Sequence, residues 1–477
     1  MRKLLAFLIF LLSVALQAQS DTYQIDRQYS QAELEKDFDI FWESIQEVHP
    51  SLYEFIAKDS LNDIVAASRA SIQSGGELYL YQKISNILSK VGCGHTVCFP
   101  SHNWYAAIKK SNSIISFTVK QIDGELYIWD HVYPDSLSLK GLKIKSINSV
   151  PTEEVINKII PLIAGDGFSS AFSYYVLQRS FRSYYAYSQP FASEHTIAYY
   201  TDDNEIKTIT LPAHQVIKTS PNPAKSELGF ELAESGNKIN FYLKNDRKKI
   251  ALIDIDAFER SKFKRFYKTV FESIAENNIT NLIIDLRNNG GGYFPHGNEL
   301  LTYLIDGDIP FKIIRNDKKV KKSDYLKMPY FSKLTKRLFN VIPNKNNTAG
   351  KQETIINYKT KKKNFFRGKV YVLINGGSFS MSCYVASNLR QKTKATFIGQ
   401  ETGGGKYGSN AILSYNLTLP HTNLRVILPH YHCAHQYVDF EKGFGVIPDI
   451  ETNYTIQNYL NQEDLELSMA LSKIENK

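Results

Sequence analysis

The sequence predicts a layered α/β core in the second half of the chain, preceded by a small helical domain and a β-rich module. Three observations carry this. From Lys249 onward, short apolar runs of strand character alternate with amphipathic helical stretches, the pattern of a layered α/β domain. Near the N-terminus, Leu34, Phe38, Phe41, Trp42, Ile45 and Val48 recur at helical spacing. Between these regions, Ile114 to Val155 alternates apolar and polar residues as strands do.

The first helix is announced by Ser30-Gln-Ala-Glu33, a capping box, and closed by His49-Pro50. Leu61 to Ile72 and Leu78 to Val91 follow as two more helices, and His95 lies just beyond them in Gly92-Cys-Gly-His-Thr-Val97. The alternating region turns at Asp123-Gly124. Val155 to Arg182 reads as helices, and His195 to Leu211 as a hairpin turning at Asp202-Asp203-Asn204. In the core the predicted order is strand Lys249 to Phe258, helix Phe266 to Glu276, strand Leu282 to Leu286 and helix Asn298 to Leu304. Strand Val370 to Ile374, helix Met381 to Arg390 and strand Ala395 to Gly399 continue it, and Ala411 to Leu419 and Leu424 to Pro429 close it. No internal repeat is present.

Length and composition bound the class. At 477 residues the chain is long enough for two or three domains, and 43% hydrophobic with 22% charged residues is ordinary for a globular protein. Residues 1–18 have a basic start, an apolar middle and a small residue before the expected cut after Ala18, which predicts a secretory signal and export to the periplasm or the extracellular space. The apolar run is short for a membrane span, and no later stretch is long and apolar enough for one. The formal charge of +9 falls to +7 once Arg2 and Lys3 leave with the signal. Much of the excess is local: Lys312 to Lys363 holds sixteen Lys and Arg against three acidic residues. An exported chain without a binding motif is a poor nucleic-acid binder. The basic stretch therefore reads as a solvated, mobile insertion, a peripheral lid or docking surface. The four cysteines are Cys93, Cys98, Cys383 and Cys433. Export permits a disulfide among them, and nothing in their spacing demands one.

Two stretches point to chemistry. Val370 to Lys406 runs from a buried strand through the turn Asn375-Gly-Gly377 and Ser378-Phe-Ser380 into a helix, and ends in Gly403 to Gly405. A serine at such a junction stands beside the amide donors of a helix N-terminus, where a nucleophile facing an oxyanion is useful. Ser378 and Ser380 at that place also suit helix capping. Asn281 to Gly292 is a buried strand ending in three glycines, whose bare backbone lets N–H groups approach a carbonyl.

Together these stretches resemble the tail-specific (C-terminal processing) serine proteases, and their tricorn-like branch in particular. The resemblance is carried by Asp285-Leu-Arg-Asn-Asn-Gly-Gly-Gly292, Ser380, Gly399-Gln-Glu-Thr-Gly-Gly404 and Gly445-Val-Ile-Pro-Asp449. It implies a Clp/crotonase-like α/β protease core and an exported serine endopeptidase acting on polypeptides, with no cofactor. By sequence the chain divides into a signal peptide (1–18), an N-terminal helical domain carrying His95 (19–100) and a β-rich module (101–245). The core (246–455), with the basic insertion 312–363, and a C-terminal helix (456–477) follow. Gly141 to Asn148 is similar to part of a PDZ-type module but lacks a carboxylate-binding loop, so the module is either a degenerate PDZ-like unit or a plain β unit.

In the family the nucleophile is the first serine of an S-x-S segment. Ser380-Met-Ser382 matches, which implies Ser380, with Ser378 and Ser382 as the neighbouring alternatives. Met381 and Gly290 or Gly291 would supply the oxyanion amides. The base has two candidates. Tail-specific proteases with a lysine base place it shortly after GxxTxG, where Lys406 sits, although the loop here is one glycine longer. Tricorn-type enzymes use a histidine in a G-H-T segment, here Gly94-His95-Thr96, oriented by a glutamate nearly sixty residues beyond the serine. Glu441 lies sixty-one beyond Ser380, with Asp439 the runner-up. A histidine needs little pKa shift to act near neutrality, whereas a lysine must be desolvated. His430, His432, Cys433 and His435 cluster in sequence. His430 and His432 would share a strand face, but no acidic partner is evident and the family uses no metal. A binding protein on the same fold is the alternative class, since the retinoid-binding protein of the photoreceptor matrix looks related. Acyl-CoA chemistry on the related crotonase fold is disfavoured by the signal peptide.

Overall fold

The structure is a computed structural model, which describes residues 23–476 except 112, 134–138, 215–224, 245–246, 317–319, 330–344, 349–350, 362 and 436–441. The signal segment, Asp439 and Glu441 lie outside the described residues.

The first helix, Gln31–Val48, forms because Ser30 and Glu33 cap each other's backbone, and it ends where His49 precedes a proline and turns extended. Its buried stripe of Leu34, Phe38, Phe41, Ile45 and Val48 packs with helices Lys58–Ala70 and Glu77–Val91. The last of these stops at Gly92, left-handed at φ 67°. The chain then crosses to the core. Val97–Phe99 adds an antiparallel strand beside Arg425–Ala434. Buried Asp37 of the first helix accepts from the amides of His421 and Thr422 and from the Thr422 hydroxyl. The helical domain is thus one hydrophobic unit with Leu417, Leu419, Leu424, Val426 and Leu428 of the core.

The β module is a six-stranded antiparallel sheet built on the hairpins Phe117–Ile122/Glu125–His131 and Glu194–Tyr200/Ile206–Pro212. Helices Thr152–Ile159 and Ala171–Ser188 cover its apolar face. Asp123 and Gly124, both at positive φ, make the predicted turn.

The core sheet has seven strands in the order Phe230–Gly236, Ile239–Lys244, Ile250–Ile255, Asn281–Asp285, Lys369–Ile374, Thr396–Gly399 and Ile450–Glu451. The last five run parallel and are almost wholly buried, as strands covered on both faces must be. Helices Phe263–Glu276, Phe294–Leu301 and Met381–Lys392 cover one face, and the C-terminal helix Leu465–Glu475 covers the other. This is the layered α/β architecture expected.

Two boundaries differ from the sequence expectation. The hairpin 230–244 was assigned to the β module but belongs to the core sheet, because Ile239–Lys244 pairs along its whole length with Ile250–Ile255. The basic insertion, expected to be peripheral and to bury little, is integral at both ends. Asp308–Asn316 and Lys351–Lys359 pair in full register, and Lys312 to Arg315 also pair with Tyr431 to Ala434 in a second seven-stranded sheet. Phe311 and Ile313 point into the core. Lysine-rich strands read as solvated coil because only one face of each is apolar. The middle of the insertion, 330–344, lies outside the described residues.

Candidate active site

The nucleophile turn is held from below by polar side chains. Ser378 is fully buried, and its hydroxyl donates to Leu286 O (2.7 Å) while accepting from the Asn375 amide (3.1 Å). Ser382 is also fully buried, its hydroxyl 3.5 Å from the same carbonyl. Both alternatives to Ser380 are therefore internal fasteners. Ser380 is half-buried, and its hydroxyl has no hydrogen-bond partner among the described residues and does not cap its helix. Its backbone sits at φ 54°, ψ −120°, a region that costs a non-glycine residue about 1–3 kcal/mol. Surrounding bonds hold it there: the Phe379 amide donates to Asn289 O (3.0 Å) and the Tyr384 amide to Ser380 O (3.0 Å).

The glycine loop lies against this serine. A Cβ on Gly291 would stand 2.6 Å from Ser380 Cβ and 2.8 Å from Met381 N, so only glycine fits at that position, whose φ is 102°. The loop is fastened by asparagines that the sequence did not single out. Asn288 and Asn375 exchange bonds (2.9 and 3.1 Å), and buried Asn289 donates to Ile255 O (2.8 Å) while accepting from the Gly291 amide (2.9 Å). Of the expected oxyanion donors, Gly291 is thus already committed to Asn289. The amides of Gly290, an exposed residue with open space where a Cβ would stand, and of Met381, the first residue of its helix, remain as the candidate donors.

Asp285 and Arg287 of the same motif are structural. Arg287 bonds Asp285 (2.6 Å), Asp464 (2.7 Å) and Glu466 (2.7 Å), and Lys225 reaches Asp285 at 3.1 Å. The two cations hold the Asp285 carboxyl well below the usual carboxylate range although burial opposes them. The cluster ties the glycine loop to the C-terminal helix.

His95 arrives from the helical domain. Its ring stacks on Phe379, the neighbour of Ser380, at 4.8 Å between centroids, and Phe379 stacks in turn on Phe172 at 4.3 Å. Gly94 permits this approach, since a Cβ there would meet the Phe379 ring at 2.7 Å. Burial pushes the His95 pKa down to about 4, and its Nδ1 is buried with no partner among the described residues. Behind it, buried Asp166 accepts from the Gly94 amide at 2.8 Å and from the Gly405 amide at 3.3 Å. Asp166 was not singled out from the sequence. It stands in Gly165-Asp-Gly167 between a short 3₁₀ turn and a helix, and no motif announces it.

Lys406 follows the glycine loop 403–405. It lines a pocket with Ser387, Arg390, Val446, Pro448 and Asp449, and its carbonyl accepts from the Ser387 hydroxyl at 3.2 Å. Ser387 is two helical turns beyond Ser380, about 10 Å along the axis at about 1.5 Å per residue. Of the histidine cluster, His432 bonds Asn410 (2.9 Å), His435 bonds the carbonyl of Lys406 (2.6 Å) and His430 faces Val48 O (3.4 Å). Among the described residues no group of three His, Cys, Asp or Glu is placed to hold a metal. All four cysteines are free and buried. Cys383 donates to Gly404 O (2.9 Å), beside Thr402, whose hydroxyl also accepts from the Val446 amide. These bonds make Gly399 to Gly404 and Gly445 to Asp449 one knot.

Residues 249–452 match the profile of Peptidase family S41. A search among curated proteins finds no match. Among solved structures, mature CPAF complexed with lactacystin is similar at 14% identity and TM-score 0.66, with 94% of this chain and 99% of that chain covered. Mature CPAF alone gives 13% identity and TM-score 0.65, with 94% and 98% covered. The photosystem II D1 C-terminal processing protease gives 14% identity and TM-score 0.42, with 88% and 93% covered. At such identities the likeness concerns the fold, and the family assignment rests on the profile. The glycine loop, the serine turn and the Gly445–Asp449 ending all lie within the matched residues 249–452, a serine-type peptidase region similar to Peptidase family S41.

Proposed function

We propose that this peptidase is an exported serine endopeptidase that cleaves polypeptides through a Ser380 acyl-enzyme, with His95 as general base. One observation carries the mechanism: the only half-buried serine of the turn, unbonded and strained, lies against Gly291 and beside the residue on which His95 stacks.

Ser380 Oγ attacks the peptide carbonyl while His95 takes its proton. With Nδ1 buried, Nε2 is the nitrogen left for that transfer. The carbonyl oxygen, now negative, is met by the amides of Met381 and Gly290, preorganised by the helix N-terminus and the fastened glycine loop. His95 returns the proton to the leaving amine, and water then releases the acyl group by the same route. The buried, unpaired Nδ1 calls for an acceptor to orient the ring, the role proposed for Glu441. A base whose pKa is pushed down to about 4 is neutral throughout the neutral range and so ready to accept a proton. Lys406 lines a pocket with Ser387, and a Ser380/Lys406 dyad is the alternative mechanism. Export rests on the N-terminal signal segment. Among the described residues no helix is long and apolar enough to cross a membrane.

A fluorophosphonate probe is expected to label the full-length protein on Ser380. Labelling that survives Ser380→Ala would overturn the assignment. His95→Ala should slow labelling by about two to four orders of magnitude while Lys406→Ala changes it little, and the reverse order would establish lysine as the base.

A further inference from the structure

We propose that Asp166 is a positioning residue: its carboxylate clasps the His95 loop to the glycine loop 403–405 and so holds the base over the nucleophile turn. The inference rests on the assignment of His95 as base.

The geometry is specific. Asp166 is 3% exposed, and its two oxygens accept from two different parts of the fold, Oδ1 from Gly94 of the helical domain and Oδ2 from Gly405 of the core. Its neighbours reinforce the same junction. The Gly167 amide donates to Gly92 O (3.0 Å), and the amides of Phe168 and Ser169 donate to Gly443 O (2.7 and 3.2 Å). The Lys406 amide donates to Phe444 O (3.1 Å). One short segment of the β module is therefore the rivet between the loop that bears His95 and the loop that flanks the serine helix.

The side-chain type matters. A carboxylate offers acceptors on both oxygens, whereas an amide of the same size offers one acceptor and one donor. Protonation has a similar effect, because it turns one oxygen into a hydroxyl that faces an N–H donor. The clasp is complete only when Asp166 is ionised. Burial opposes ionisation and pushes its pKa up to about 7, and Glu54 pushes the same way. The other titratable groups around it add no compensating cation by ionising: burial pushes the thiols of Cys93 and Cys383 up to about 11 and about 12, the Tyr407 phenol is driven upward too, and His95 is driven down to about 4. The carboxylate that accepts from both amides is therefore the form present above about pH 7, well above the titration of the base itself.

The test uses the full chain, its Asp166→Asn and His95→Ala variants, and the fluorophosphonate probe. The rate of Ser380 labelling is measured from pH 3 to 9, together with amide hydrogen exchange across 92–97 and 403–408. The wild type should show a limb near pH 7 above a lower limb near 4. Asp166→Asn should lack the upper limb, label roughly 10- to 100-fold more slowly at pH 8 and exchange faster in both segments. Equal labelling with the pH 7 limb intact, or unchanged exchange, overturns the proposal. If His95→Ala labels as fast as the wild type, the base assignment has failed and the positioning role falls with it. If His95→Ala is slow and Asp166→Asn is not, only the positioning role is overturned. Should Asp166→Asn not fold, the wild type suffices: a labelling profile without a limb near pH 7 overturns the clasp.

Discussion

The turn that carries Ser380 and the loop that carries His95 are fastened by two unlike kinds of structure. The serine turn is fastened within one parallel sheet by many short bonds: Ser378 and Ser382 to Leu286, Asn288 to Asn375, Asn289 to Ile255 and Gly291, and the ion cluster of Arg287 beneath. The His95 loop is fastened across three parts of the chain by fewer links, chiefly Asp166 and an aromatic stack. Redundant bonding lets the first site carry backbone strain at Ser380. The second site, with few bonds and a titrating carboxylate, is the one that pH and substrate binding can shift.

That contrast can be broken from either side. The largest stability effect is expected at Arg287→Ala, which leaves Asp285, Asp464 and Glu466 buried around Lys225 alone. It should cost about 3–5 kcal/mol in urea unfolding, and a cost under about 1 kcal/mol would show that the cluster is dispensable. Gly291→Ala should leave the fold largely intact but displace Ser380, cutting fluorophosphonate labelling by roughly 100-fold; labelling at the wild-type rate would mean the loop has room to spare. Asn289→Ala, which orphans the Gly291 amide and Ile255 O, should cost about 1–3 kcal/mol by the same unfolding measurement.

On the His95 side the effects are smaller and depend on pH. The Asp166 pKa is raised by folding, so its contribution to stability is present below the unfolded carboxylate range and is lost as pH rises to about 7. Relative to the wild type, the melting temperature of Asp166→Asn should therefore climb between about pH 4 and 7; a constant difference would show that Asp166 does not titrate there. Phe379→Leu removes the stack under His95 and should cost about 0.5–1.5 kcal/mol, with the loss of labelling exceeding the loss of stability. Equal stability and equal labelling would show that the stack does not orient the ring.

The same contrast explains what was legible beforehand. The parallel core, the serine turn and the glycine loop are written locally, as apolar runs of strand length ending in glycine and asparagine. Their physical requirements, burial on both faces and close backbone approach, are met by residues adjacent in the chain. The helices of the first domain were equally plain, because the capping box and the buried stripe from Leu34 to Val48 lie within one stretch. Lysine-rich Lys351–Lys359 was misread as mobile because strand character in a basic segment shows only once a partner strand, Asp308–Asn316, supplies its hydrogen bonds. Asp166 gave no sign at all. A buried carboxylate between two glycine amides becomes meaningful only when residues 72 and 239 positions apart in the chain are folded against it. Local pattern determined the elements and the chemistry of the nucleophile. The stacking of His95 on Phe379, next to the proposed nucleophile, was decided by tertiary structure, because it joins groups that have no relation until the domains dock.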